Sequence, residues 1–274
     1  MIKKVRDLVK GILAKAPFID GIFRRFVWSN LAYPEFEMKL LSKLDSSSIN
    51  IALDIGAALG SYSWILKNKS KKVYAFEPGS LHFNYLNKVN FFTNIEVVNC
   101  AVGAKTDNKV MYTAGEDNAA MHTATLSKSN PVSLASNIVE TSVEQIALDS
   151  FFAAQIREGD KIDFIKIDVE GYELEVLEGG RNLIKTFHPL IICEIEWRHN
   201  SQYKEVFEFL YNLGYKCEYF ANGCLNKISN SDIIDLQKPE DLSSRLDGEV
   251  SPAKNTYINN FIFIHPKTML SLPQ

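Results

Sequence analysis

The residues best suited to bind a ligand or to take part in a reaction lie at the ends of two apolar runs. The first run ends in Asp54, a turn containing Gly56 and Gly60 follows, and a second apolar run ends in Glu77. In an open parallel sheet, an acid at the end of the second strand accepts hydrogen bonds from ribose hydroxyls, and glycines in the first turn let the backbone approach the ligand. The pattern predicts a cofactor that contains adenosine.

The form of the turn narrows the choice of cofactor. It reads Asp-x-Gly-x-Ala-x-Gly, whereas a dinucleotide-binding turn reads Gly-x-Gly-x-x-Gly and would place its third small residue at Ser61. The chain contains no Gly-Lys-Ser/Thr, which excludes the phosphate-binding loop as a motif. An acid two residues before the first glycine suits a cofactor that has an ammonium, a sulfonium and no phosphate, and S-adenosylmethionine is such a ligand.

A second group of reactive side chains ends or follows two later apolar runs: Asp168, Glu170, Glu194, Glu196 and His199. Methyl transfer to a hydroxyl requires alignment of the acceptor and removal of its proton, for which carboxylates and histidine are suited. Asp168 is expected where methyl group and acceptor meet, and Glu170 or His199 is the expected proton acceptor. Glu170 could instead cap the helix that begins near Tyr172, and Glu173 is expected to be a solvated helix residue.

A metal-assisted reaction is the alternative to a protein base. A hard cation would bind several oxygens and could lower the pKa of the acceptor. The chain has enough carboxylates, but no tight ligand spacing indicates a metal, and no metal site is assigned.

Strand patterns alternate with helical patterns along most of the chain. Strands are expected at 50–55, 72–76, 95–102, 162–168, 190–196, 215–220 and 258–264, and helices at 80–91, 143–153, 172–186 and 201–213. The alternation predicts an α/β fold with a doubly wound, mostly parallel, seven-stranded sheet that binds ligands at the carboxyl ends of its strands. Residues 103–142 are expected to form an irregular insertion near the ligand, and residues 226–256 a loop.

The polar connector 45–50 divides the chain into an N-terminal helical extension, residues 1–45, and one domain, residues 46–274. Residues 2–28 carry seven basic residues against two acids, with apolar residues at helical spacing on one face. Packing of this helix on the domain or on a homodimer partner is the favoured interpretation. Contact with anionic lipid at a membrane surface is the alternative.

Composition excludes several classes of protein. The formal charge of −3 gives no reason to expect nucleic acid as a partner. The four cysteines form no Cys-x-x-Cys pair, which argues for a reducing compartment and against a disulfide scaffold. No apolar run could span a bilayer, and the basic N-terminus lacks the apolar core of a signal peptide. We expect a cytoplasmic protein, with peripheral contact at the inner membrane surface if the basic helix binds lipid.

Taken together, the motifs over about residues 50–215 resemble those of FkbM-family methyltransferases. They are Asp54–Ser63, Ala75–Pro78, Ala101–Gly103, Leu148-Asp149, Ile165–Glu173 and Val176–Gly180, of which Lys-Ile-Asp-Val-Glu-Gly is the most specific part. The family turn usually carries Asn where this chain has Ala58. The resemblance implies a class I, Rossmann-like methyltransferase fold and S-adenosylmethionine as methyl donor, and most members methylate hydroxyls of sugars or natural products.

The resemblance also implies roles for individual residues. The implied cofactor contacts are Asp54, Gly56, Ala57, Gly60, Tyr62, Glu77, Pro78, Ala101 and Asp168. Glu77 would accept both ribose hydroxyls, Ala101 would offer its backbone to the adenine, and Asp168 would lie near the methionine part and the reacting methyl. The candidate catalytic residues are Asp168, Glu170, Glu194 and His199.

We therefore expect an S-adenosylmethionine-dependent O-methyltransferase that acts on a hydroxyl of a glycan or glycolipid, as in polysaccharide biosynthesis. An O-methyltransferase for a small-molecule natural product is the alternative among enzymes. A non-catalytic adenosyl-binding scaffold domain is the alternative outside them.

Overall fold

The computed structural model of the chain describes residues 36–89, 93–114, 124–128, 130, 137–221, 223–228, 233–238 and 257–272. The basic segment 2–28 and most of the stretch 226–256 lie outside the described residues, so the expectations for them stay predictions. Among the helices of the described part, none combines the length and the apolar character needed to cross a membrane.

The described strands are β1 (Ile49–Ile55), β2 (Ser70–Phe76), β3 (Ile95–Val98), β4 (Ala101–Val102), β5 (Asp107–Ala114), β6 (Ile138–Ile146), β7 (Ile162–Ile167), β8 (Leu190–Glu194), β9 (Lys216–Ala221), β10 (Cys224–Ile228) and β11 (Asn260–Ile264). The described helices are α1 (Phe36–Ser42), α2 (Ser61–Leu66), α3 (Ser80–Val89), α4 (Leu148–Ala153), α5 (Glu173–Gly179), α6 (Arg181–Phe187) and α7 (Tyr203–Asn212), with a 3₁₀ turn at Ile234–Leu236.

The main sheet has the strand order β10-β9-β11-β8-β7-β1-β2-β3. β1 pairs in parallel with β2 and β7, β2 with β3, and β7 with β8. β11 is antiparallel to β8 and β9, and β10 is antiparallel to β9. The chain reverses its direction of travel across the sheet between β1 and β7, which is where open α/β sheets bind ligands. The expected fold class is confirmed, and β10 adds an eighth strand where a loop was expected.

Helices cover both faces of this sheet because successive strand side chains point to opposite faces. Leu53 and Ile55 of β1 belong to a core that includes residues of α4, α5, α6 and α7. Ala52, between them, belongs to a second core with residues of α1, α2 and α3. Met38 and Leu41 of α1 are fully buried in that second core, so the described end of the N-terminal extension packs against the sheet.

A second, three-stranded sheet with the order β4-β6-β5 corrects the expectation for residues 103–153. β5 and β6 pair antiparallel from Asp107 opposite Gln145 to Ala114 opposite Ile138, where an irregular insertion and the start of a helix were expected. Val143 and Gln145 are buried while Ser142 and Glu144 are exposed, so β6 has a period of two there. Its many polar residues on the exposed face concealed this period.

Two expected elements are each divided into two shorter ones. The expected strand 95–102 splits into β3 in the main sheet and β4 in the second sheet. The expected helix 172–186 splits into α5 and α6 at Gly180. A Cβ at Gly179 would lie 2.0 Å from the carbonyl oxygen of Gly103, so the glycine allows α5 to contact the start of the second sheet.

The motif residue Asp149 accepts hydrogen bonds from two backbone N–H groups in the first turn of α6.

Candidate functional site

The turn after β1 is held from below by Asp54. Its Oδ2 accepts hydrogen bonds from the backbone N–H of Ser63 at 2.8 Å and from Ser63 Oγ at 2.5 Å. Burial raises the pKa of Asp54 to about 6. Gly56 has φ 80°, and a Cβ there would lie 1.8 Å from the carbonyl oxygen of Asp168. Glycine is therefore required where the turn crosses the end of β7.

Glu77, directly after β2, joins that turn to the next one. Its Oε2 accepts a hydrogen bond of 2.8 Å from the backbone N–H of Ala58, and its Oε1 accepts one of 2.7 Å from Gly79. His82 Nδ1 lies 3.9 Å from Oε1. Burial raises the pKa of Glu77 to about 7. A carboxylate has about four acceptor positions, so Glu77 retains capacity for hydroxyl donors.

A cavity of about 850 Å³, open to solvent, lies over the carboxyl ends of β1, β2 and β7. Seven of the residues selected from the sequence line it: Gly56, Glu77, Pro78, Ala101, Asp168, Glu170 and Glu194. Its apolar lining comes from Ile55, Phe76, Val102, Met111, Leu126 and Val169. The cavity thus offers an apolar interior with Glu77 and Asp168 among its lining carboxylates, which fits the adenosine and amino-acid parts of S-adenosylmethionine.

Four residues selected as cofactor contacts do not line this cavity: Asp54, Ala57, Gly60 and Tyr62. The buried ring of Tyr62 lies 5.0 Å from Lys166 Nζ and belongs to the core beneath the site, and its contact with the cofactor stays a prediction. Asp54 and Gly60 shape the turn from behind. A Cβ at Gly60, which has φ 80°, would lie 2.5 Å from Leu86 of α3.

The acids and the histidine that follow β7 and β8 lie together, as expected from the parallel order of these strands. A small, nearly filled cavity is lined by Asp168, Glu170, Gly171, Glu173, Glu194, Glu196 and His199. His199 Nδ1 lies 2.7 Å from Glu170 Oε2 and 3.6 Å from Glu196 Oε2. Asp168, Glu170 and Glu194 line both cavities, so the Glu170–His199 pair adjoins the cofactor cavity.

The sequence matches the family described as methyltransferase FkbM domain over residues 54–217, more than half of the chain. The chain belongs to the FkbM methyltransferase family. Its methyl donor is S-adenosylmethionine, and the cavity residues described above are those that would hold it. Comparison with curated proteins gave no match.

Several solved structures are similar to this FkbM methyltransferase. The methyltransferase FkbM from Methylobacillus flagellatus KT has 17% identity and a TM-score of 0.44, with 81% of this chain and 47% of that one covered. The O-methyltransferase from Bacillus cereus in complex with SAH has 12% identity and a TM-score of 0.44, with 93% and 96% covered. An rRNA methylase from Streptococcus thermophilus has 13% identity and a TM-score of 0.40, with 86% and 97% covered. The present chain spans about half the length of the Methylobacillus protein.

The Glu170–His199 pair of the FkbM domain is electrostatically coupled. Burial raises the pKa of Glu170 above its ordinary value, although His199 opposes the shift. Burial lowers the pKa of His199, but the contact with Glu170 and the charges of Glu170 and Glu196 outweigh it, so that this pKa is raised above 6.5. The carboxylate of Glu170 thus favours the charged form of His199.

Lys166, which the sequence analysis did not select, lies beneath the same carboxylates. Its side chain is 1% exposed, and Nζ lies 3.7 Å from Asp168 Oδ2 and 3.9 Å from Glu194 Oε2. Nζ also donates a hydrogen bond of 3.0 Å to Asn260 Oδ1. The signal available in the sequence was a lysine within the apolar strand Ile162–Ile167, where charged residues are rare unless paired.

Glu173, expected on a solvated helix face, is buried, which corrects that expectation. Its Oε1 accepts a hydrogen bond of 2.8 Å from the backbone N–H of Gly171, and its Oε2 accepts one of 2.5 Å from Asn200 Nδ2. Burial raises the pKa of Glu173 to about 7. Glu173 therefore ties the turn after β7 to the segment after β8.

Glu194 and Glu196 are held by residues just before β11 and by Arg198, which follows β8. Asn259 Nδ2 donates to Glu194 Oε1 at 2.6 Å and to Glu196 Oε1 at 3.3 Å. Glu196 Oε2 accepts hydrogen bonds from Arg198 Nε at 2.5 Å and from the Tyr257 hydroxyl at 3.2 Å. In the part of the chain that the structure describes, no group of three or more His, Cys, Asp or Glu side chains is arranged to hold a metal ion.

Proposed function

We propose that this FkbM methyltransferase transfers a methyl group to a hydroxyl of a glycan or glycolipid. The observation that carries the proposal is the Glu170–His199 pair, which lies beside the cofactor cavity at the ends of β7 and β8. A hydroxyl must lose its proton as it gains the methyl group. The Glu170–His199 pair can take that proton, and it lies beside the cavity that would hold the methyl donor.

The geometry supports a division of roles between the two residues. Nδ1 of His199 faces Glu170, so the neutral imidazole that keeps its proton on Nδ1 presents Nε2 as the proton acceptor. Glu170 fixes the ring and stabilises the imidazolium that forms, as the acid does in a hydrolase triad. The cofactor supplies an activated methyl group with a neutral thioether as leaving group. With the cofactor bound, the methyl carbon would gain a bond to the acceptor oxygen and lose its bond to sulfur, and His199 would take the hydroxyl proton.

The charge of the two cavities favours a neutral, hydroxyl-rich acceptor. Among the described residues that line the two cavities there is no lysine or arginine. Six of these residues are acids: Glu77, which lines only the larger cavity, and Asp168, Glu170, Glu173, Glu194 and Glu196. Carboxylates accept hydrogen bonds from sugar hydroxyls and repel phosphates. This supports a sugar over a nucleic acid as the acceptor.

The basic segment 2–28 favours a lipid-linked form of that sugar. Its seven basic residues suit an anionic membrane surface, where each Lys or Arg contributes about 1 kcal/mol of binding free energy. Cytoplasmic location with contact at the inner membrane surface is part of this proposal, and so is the absence of a nucleic-acid partner. Packing of the segment on the domain or on a homodimer partner is the competing arrangement, and it is the favoured interpretation of the segment taken by itself.

The test is methyl transfer from cofactor labelled in its methyl group to three sets of acceptors. These are a glycolipid extract, water-soluble oligosaccharides and small phenolic or polyol natural products, each analysed by mass spectrometry. A mass increase of one labelled methyl on a sugar of the first two sets supports the proposal. Transfer confined to the small molecules identifies a natural-product enzyme. Cofactor binding without transfer to any set supports a scaffold domain.

A further inference from the structure

We propose that Thr125 and Asn130 are positioning residues that hold the Glu170–Gly171 turn, and thereby keep the Glu170 carboxylate against His199. The inference rests on the proposed function, in which that pair removes the acceptor's proton. It assigns a role in the reaction to the second sheet and to the segment attached to it, whose donors Thr125 and Asn130 lie 45 and 40 residues from Glu170 in the sequence.

Both side chains donate to a single backbone atom. Thr125 Oγ1 donates a hydrogen bond of 2.6 Å to the carbonyl oxygen of Glu170, and Asn130 Nδ2 donates one of 2.7 Å to the same oxygen. Thr125 is 2% exposed and Asn130 is 0% exposed. Two buried donors on one carbonyl fix the orientation of the peptide that follows Glu170, because neither donor can be replaced by bulk water.

The conformation of Glu170 needs such support. Glu170 has φ 51°, in the left-handed region where the Cβ of a residue other than glycine lies too close to the backbone. Gly171 follows with φ 94°, and a Cβ there would lie 2.4 Å from the carbonyl oxygen of His199. The turn is therefore strained and closely packed on the segment that carries His199. Such strain persists where surrounding contacts determine the conformation.

The hydroxyl of Thr125 has one proton, and its surroundings direct that proton to Glu170. Thr125 Oγ1 accepts a hydrogen bond of 3.0 Å from the backbone N–H of Ser127, which leaves the hydroxyl proton for the Glu170 carbonyl. The backbone of Thr125 also exchanges two hydrogen bonds with Tyr112 of β5. Thr125 thus connects the second sheet to the turn that carries the proposed base.

The opposite side of the turn is held differently. Glu173 accepts the hydrogen bond of the Gly171 N–H and is itself held by Asn200. These contacts fix Gly171 and the start of α5, whereas the Thr125 and Asn130 contacts fix the carbonyl of Glu170. Removal of either donor would allow the Glu170 peptide to rotate, and the side chain would move away from His199.

The test is an NMR titration of the histidines in the full chain, which needs no acceptor. The His199 signal is assigned from its loss in His199→Gln. The charged groups that act on the pKa of His199 are Glu170, Glu196 and Arg198, and the acids Asp168, Glu173 and Glu194 line the same small cavity. Thr125→Val changes none of them. We expect Thr125→Val and Asn130→Ala to lower the pKa of His199 by about half a pH unit or more, towards the ordinary value near 6.5. Thr125→Ser keeps the hydroxyl and should titrate like the wild type.

Glu170→Gln supplies the reference. It should lower the pKa of His199, and adding Thr125→Val to it should cause no further change, because both act through one contact. The proposal is overturned if Thr125→Val leaves the His199 titration unchanged while Glu170→Gln shifts it. It is also overturned if Thr125→Val and Asn130→Ala both fail to fold, since the two residues would then serve general stability. The titration involves no methyl transfer, so the two proposals can fail separately. If the pKa of His199 shifts as expected but no acceptor is methylated, the positioning role stands and the proposed function fails.

Discussion

Glu77 and Ala58 are joined by a hydrogen bond of 2.8 Å from the backbone N–H of Ala58 to Glu77 Oε2. The acid that follows β2 and the turn that follows β1 therefore form one unit at the edge of the cofactor cavity. Ala58 has φ 46°, in the left-handed region, while Glu77 is 6% exposed and has a pKa raised by burial to about 7. Two predictions follow from this pair of residues.

Cofactor affinity should rise with pH through the pKa of Glu77. Ribose hydroxyls donate to the carboxylate, so binding favours the deprotonated form and releases a proton from the free protein. With a pKa of about 7, the deprotonated fraction is about one eleventh at pH 6 and ten elevenths at pH 8, which corresponds to a Kd about tenfold weaker at pH 6. Calorimetric titration with S-adenosylhomocysteine at both pH values measures this ratio.

Glu77→Gln is the matched control for that titration. It keeps the size and polarity of the side chain but does not ionise, so its affinity should be weaker at pH 8 and should vary little between pH 6 and pH 8. An equal dependence on pH in the variant and the wild type would assign the titration to another group and would contradict the placement of the ribose at Glu77.

Ala58→Gly should stabilise the protein. Glycine adopts the left-handed conformation without the clash of a Cβ, so relief of strain should raise the free energy of unfolding by about 1 kcal/mol. The backbone N–H that binds Glu77 is retained. Urea denaturation of Ala58→Gly and of Ala57→Gly checks the explanation, because Ala57 is not among the residues with positive φ and its substitution should cost about 0.5–1 kcal/mol. Destabilisation by both substitutions would refute the strain argument.

Lys166→Met should destabilise the protein in a pH-dependent manner. The substitution removes the buried cation that faces Asp168 and Glu194, and loss of one partner of a buried ion pair costs about 3 kcal/mol. The charge of Lys166 also stabilises the ionised form of the buried Asp54, whose pKa is about 6. Asp54 becomes protonated as the pH falls, so this contribution of Lys166 is lost. The decrease in the free energy of unfolding should therefore be smaller at pH 5 than at pH 8. Urea denaturation at both pH values measures the difference. The exposed Lys161→Met should change the unfolding free energy by less than about 0.5 kcal/mol at either pH.

Once an acceptor is identified, turnover should depend on Glu170 and His199. Glu170→Gln and His199→Gln should lower kcat by about 10²–10⁴-fold with little change in cofactor affinity. A base acts when it is deprotonated, so activity should rise with pH through the apparent pKa of the pair. The raised pKa of His199 places this limb above 6.5 in the wild type, and Glu170→Gln should move it to lower pH. The measurement is kcat as a function of pH for the wild type and the two variants. The same pH profile in all three proteins would show that another group is the base.

The sequence by itself determined the fold class, and it selected Gly56 and Glu77, which line the cavity over the carboxyl ends of the strands. Continuous apolar runs of the length typical of buried parallel strands, separated by helical patterns, sufficed to predict a doubly wound sheet. Asp54, Gly56 and Glu77 could be selected because a turn and a strand end are local features, and a parallel sheet brings such ends to one edge. The convergence of Glu170 and His199 followed from the same rule applied to β7 and β8.

Only the tertiary structure decided which groups surround those residues and how they ionise. Thr125 reaches Glu170 across 45 positions, and Lys166 reaches Asn260 across 94, so neither contact leaves a periodic signal in the sequence. The second sheet was missed because its strands are half exposed and carry many polar residues. The raised pKa values of Asp54, Glu77 and Glu173 arise from burial, which depends on how distant segments pack and cannot be read from the residues alone.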